Sequence, residues 1–73
     1  MVLLITSHQP PLEISGVLVD ANRHGFRARH TNDDFKPNDI VSFIHRLGEG
    51  VARVIWTEGH TTGFETGFAY LEQ

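Results

Sequence analysis

The chain has 73 residues, 40% of them hydrophobic and 21% charged, with a formal net charge of −3 and no cysteine. This length fits one small domain with a thin core, and it excludes a second domain or a cleft between lobes. The composition is globular, the acidic balance argues against wholesale binding to nucleic acid or anionic membrane, and disulfides and thiolate zinc sites are excluded.

Met1 to Ile5 is an apolar run without a preceding Lys or Arg, too short for a secretory signal. No run approaches the roughly 20 apolar residues that span a bilayer. The expectation is a soluble, cytoplasmic single domain over residues 1–73, with 1–11 an N-terminal segment and 12–72 the folded barrel. Gln9-Pro10-Pro11 breaks the chain, because the residue before each proline is pushed towards extended geometry.

Leu12 to Asp20 is aliphatic and β-branched and predicts a strand, with Gly16 a bulge or a point of close approach. Asn22 to Gly25 predicts a turn, with Gly25 at positive φ. Phe26 to His30 alternates, placing Phe26 and Ala28 inward and Arg27 and Arg29 outward. Thr31 to Asn38 reads as a polar loop. Ile40, Phe43, Ile44 and Leu47 fall at helical spacing, but the stretch is two turns long, rich in strand formers, and runs into Gly48-Glu49-Gly50. It is read as a strand. Gly48 to Gly50 and Glu58 to His60 predict hairpin turns around an alternating strand, Val51 to Thr57. Gly63 to Leu71 alternates Phe64, Thr66, Phe68 and Tyr70 against Glu65, Gly67, Ala69 and Leu71. Trp56, Phe68 and Tyr70 are expected in the core. Frequent turns between short alternating runs predict an all-β fold, a small five- to six-stranded antiparallel barrel.

One constellation carries a resemblance. Asp20-Ala21-Asn22-Arg23-His24-Gly25, between two strands, resembles the signature of PilZ domains, bacterial receptors for cyclic di-GMP. Their pattern is Asp or Asn, any residue, Ser, two residues, then Gly, so Asp20 and Gly25 match and Asn22 replaces Ser. Pro37 to Phe43 resembles the family's loop into its next strand, and Gly50 to Trp56 and Gly67 to Leu71 resemble later strands in order, the match covering roughly residues 12 to 72. The resemblance implies a split β-barrel acting as a non-catalytic cytoplasmic signalling module, without a cofactor. Asp20, Asn22 and Gly25 would meet the guanine edge, and Arg23 a phosphate.

The family's second device, an Arg, three residues, Arg pair before the first strand, is missing, since residues 1–19 contain no Arg or Lys. Charge-assisted contacts of this kind contribute about 1.5–3 kcal/mol each. Direct affinity for cyclic di-GMP is therefore expected to be weak or lost. The alternative is a protein–protein adaptor or dimerisation module that binds no nucleotide. An apolar outer face around Ile40, Ile44 and Ile55 would meet a partner protein or a second copy of the chain, or be covered by Val2 to Ile5.

Other constellations are weaker. Arg27, Arg29 and Arg53 share an outer face and are expected to pair with Glu49, Glu58 or Glu65. His8, His24, His30, His45 and His60 show no local metal-ligand spacing. Ser7, Ser15 and Ser42 lack a nucleophile-elbow context, so no catalytic residues are assigned. Single-stranded nucleic acid binding through Phe26, Arg27 and Arg29 is disfavoured by the net charge.

Overall fold

The computed structural model describes residues 1–7 and 9–71; His8, Glu72 and Gln73 lie outside the described residues. The described residues form six strands and no helix: β1 (Val2–Thr6), β2 (Glu13–Ala21), β3 (Gly25–His30), β4 (Ile40–His45), β5 (Gly48–His60) and β6 (Gly63–Tyr70). They close into a barrel in the order β1-β2-β3-β6-β5-β4, with β4 returning to β1, and every pairing is antiparallel. The segment from Asp39 to Leu47 thus contains a strand, and its helical spacing is incidental. No helix among the described residues is long and apolar enough to cross a membrane.

Period-2 alternation supplies the core. Val2, Leu4, Ile14, Phe26, Ala28, Val41, Phe43, Ala52, Val54 and Phe68 all point inward and are buried, so each strand contributes. The barrel therefore begins at Val2. Val2 to Ile5 does not lie over the Ile40–Ile44 face; it is a stave beside it, with Leu3 opposite Ile44 and Ile5 opposite Ser42. Gly16 is a point of close approach, since a Cβ there would sit 2.5 Å from the Arg29 carbonyl oxygen.

The hairpin turns fall elsewhere than expected. Gly48 to Gly50 and Glu58 to His60 are strand residues at the two ends of β5. The reversals are the pairs Arg46-Leu47 and Thr61-Thr62, closed by His45 opposite Gly48 and His60 opposite Gly63. Gly48 and Gly63 follow them at φ 153° and 151°, a region that side chains rarely adopt.

Topology decides the path of residues 31–39. β3 lies between β2 and β6, whereas β4 lies between β1 and β5, so the connection must cross one end of the barrel. It carries Phe35 into that opening, 5% exposed, edge-on to His30 (centroids 4.9 Å apart) and to Phe68 (5.8 Å). The polar loop of the sequence thus holds a core residue.

Candidate functional site

Two β-bulges build a groove on the outside of the barrel. In β2, Ile14, Gly16 and Leu18 face inward, and simple alternation would send Asp20 inward as well. The register shifts between Leu18 and Asp20, so Asp20 turns out and pairs with Arg27. In β5, Ala52 and Val54 face inward, and a second shift between Val54 and Trp56 turns Trp56 outward, opposite Gly67. Arg27 is itself opposite Gly67. One row across four strands therefore reads Asp20, Arg27, Gly67, Trp56. Trp56 is not in the core: its indole lies across Gly67, where any Cβ would overlap the ring.

The row and the β2–β3 turn line a groove of about 310 Å³ that includes Asn22, His24, Gly25 and Ile55. Of the residues expected at a ligand site, Asp20, Asn22 and Gly25 meet here. Arg23 does not line the groove; its Nε stands 3.3 Å from His24 Nε2 in solvent.

Local hydrogen bonds already use the polar atoms of the turn. Asn22 Oδ1 accepts from the amides of His24 (2.7 Å) and Gly25 (3.2 Å), and the Asn22 amide donates to the Gly25 carbonyl (2.9 Å). Gly25 is not at positive φ, which among the glycines belongs to Gly48 and Gly63. Glycine is required there because a Cβ would overlap the Phe68 carbonyl oxygen on β6.

Asp20 is held by Arg27 through both carboxylate oxygens, Nε to Oδ1 at 2.9 Å and Nη2 to Oδ2. That hydrogen-bonded guanidinium lowers the Asp20 carboxyl below its ordinary range and raises Arg27 in return. Arg27 also lies 3.5 Å from Glu65, and Arg29 Nε donates to the same carboxylate at 3.3 Å. The expected pairing of the outer arginines with Glu65 is present. Arg53 stands apart, donating to Asn38 Oδ1 at 3.3 Å.

Sequence reasoning missed two histidines that work as a matched pair at the ends of β3 and β4. His30 Nδ1 accepts from the Asn32 amide at 3.2 Å, which places the ring proton on Nε2, 2.6 Å from Thr66 Oγ1. Thr66 in turn meets Thr57 Oγ1 at 3.0 Å. His45 Nδ1 accepts from the Leu47 amide at 3.1 Å, and its Nε2 lies 3.2 Å from the Tyr70 hydroxyl. Burial lowers both histidines below their ordinary range, and it raises Tyr70. The signal available in the sequence was position: each histidine continues an inward-facing alternation at the last residue of its strand.

The apolar face divides in two. Ile40 (38% exposed) and Ile44 (47%) stand on the outside of β4. Ile55, at the second bulge, belongs instead to the rim of the groove beside Trp56.

The chain matches no protein-family model, no curated protein and no solved structure.

Proposed function

We propose that the chain is a non-catalytic signalling module of the PilZ type in which direct affinity for cyclic di-GMP is weak or lost. The order of motifs along the chain supports the kinship, and the six-stranded barrel is compatible with it. One observation carries the loss of affinity: the Asp20 carboxylate, the Arg27 fork and the Asn22 side-chain oxygen are already engaged within the chain. Asp20 is bidentate with Arg27, and Asn22 Oδ1 caps two amides. Arg27, the arginine that lines the groove, is held by Asp20, and Arg23 lies outside the groove. The expected result of calorimetric titration with cyclic di-GMP is no saturable heat at micromolar protein, unchanged in the Asp20→Ala, Arg23→Ala double variant. Saturable micromolar binding that this variant abolishes would instead assign the turn as a working nucleotide receptor.

A second reading, an adaptor working through protein contact, is favoured by the outer face of β1 and β4. There Leu3 and Ile44 are cross-strand neighbours, with Ile40 and Ile5 on the same side. In sedimentation velocity from micromolar to millimolar protein, a contact between copies gives an average mass that climbs with concentration and falls back in Ile44→Asp. A concentration-independent monomer leaves the face to a different protein.

A further inference from the structure

The two ends of the barrel differ. Phe35 fills one, while the other opens into a pocket of about 440 Å³ at the tip of the β4–β5 hairpin. That volume is within the range of about 300–1,000 Å³ typical of small-molecule sites. Its aromatic wall is made by Phe43 and Tyr70, ring centroids 5.3 Å apart. Leu47, 67% exposed, stands at the rim. Gly50 leaves room beside the aromatic wall, since a Cβ there would touch the Phe43 ring at 3.4 Å.

Two polar groups of this pocket offer donors. The Leu47 amide fixes the His45 tautomer, so His45 Nε2–H donates to the Tyr70 oxygen. The hydroxyl hydrogen of Tyr70 then has no acceptor among the described residues and is available to a guest. Asn22 also lines the pocket; its Oδ1 is spent on two amides, which leaves its NH2 group as a second donor. Glu49 contributes to the lining, and no Lys or Arg does among the described residues.

We propose that this open end of the barrel binds a small, neutral, planar aromatic compound whose carbonyl-type oxygen accepts from the Tyr70 hydroxyl. The site shares Asn22 with the outer groove but opens at the end of the barrel, and it does not rest on the nucleotide reading, because no Lys or Arg among the described residues lines it to meet a phosphate.

Coumarin and naphthalene are suitable probes, being similar bicycles of which only coumarin carries a carbonyl acceptor. Titration followed by ¹H–¹⁵N NMR is expected to shift the amides of Leu47, Gly48, Gly50 and Leu71 with both. Tyr70→Phe should weaken coumarin about five- to tenfold, the worth of one hydrogen bond, and leave naphthalene unchanged. Gly50→Val, which fills the pocket, should weaken both, with the spectra of both variants otherwise superposing on the parent. The proposal is overturned if coumarin up to its solubility limit shifts none of these amides. It is equally overturned if the shifts centre on Trp56 or Ile44, or if Tyr70→Phe leaves coumarin affinity intact.

Discussion

Replacing Phe26 by alanine is expected to cost about 3–5 kcal/mol, the range for removing a buried phenyl ring. A domain of this size holds roughly 4–11 kcal/mol in all, so much or all of its stability would be lost. The reason is geometric. Phe26 is 3% exposed and stacks on Phe68 with centroids 4.6 Å apart. It also meets Phe43 at 4.9 Å, His45 at 5.1 Å and Tyr70 at 5.8 Å. It therefore joins aromatic groups from β4 and β6, strands that are not neighbours in the sheet, across the interior. Small rings elsewhere cannot collapse into the space, because the strands around it are locked in closed register. Urea denaturation with near-ultraviolet circular dichroism measures the effect, and thermal scans should show a fall of more than about 12 °C. Val17→Ala, on a side chain 64% exposed, should stay within about 0.5 kcal/mol and serves as the control. A loss below about 1.5 kcal/mol at Phe26 would mean that the ring cluster does not hold the barrel together.

Acidification should destabilise the fold through His30 and His45. Each accepts an amide proton at Nδ1 and donates at Nε2, a pattern open only to the neutral ring. Burial holds both below the ordinary histidine range in the folded state. The unfolded chain therefore takes up protons first as pH falls through about 6.5, and stability drops from there down to the folded-state values. Above that pH the contribution is complete. Inside the window each histidine adds a slope of up to about 1.4 kcal/mol per pH unit. The measurement is unfolding free energy from pH 8 to pH 5, with His45→Gln expected to remove about half of the slope. A flat profile across that window would show that neither ring needs to be neutral. Asp20 acts in the same direction, but only at lower pH: Arg27 holds its carboxyl low, so that contribution is lost as pH falls below the ordinary carboxylate range.

Much of the barrel is legible in residue order alone. The alternation of Phe26 and Ala28 against Arg27 and Arg29 gives both faces of β3 correctly, and β-branched content identifies β4 against its helical spacing. The departures share a physical cause, in that they depend on contacts distant in sequence. A bulge adds one residue to a strand and reverses every later side chain, so Trp56, inward by simple counting, emerges on the groove. Phe35 is buried only because the strand order forces its loop across the barrel end. Val2 and Leu4 join the core through pairing with β4, some forty residues away. Of the candidate site, the sequence supplied the turn and its three lining residues. It did not supply the opposite wall, which comes from β5 and β6.

Closure of the cylinder has a consequence for encounters with other chains. Each of the six described strands has a neighbour on both sides, so none presents a free ladder of amides and carbonyls as a template for a foreign strand. Association by strand addition would require unzipping a seam first, and the five-residue β1 is the shortest stave. With the described strands closed, contact without unzipping would use side chains and the two rims. Fibrillar growth would be gated by opening of the cylinder instead of by protein concentration alone.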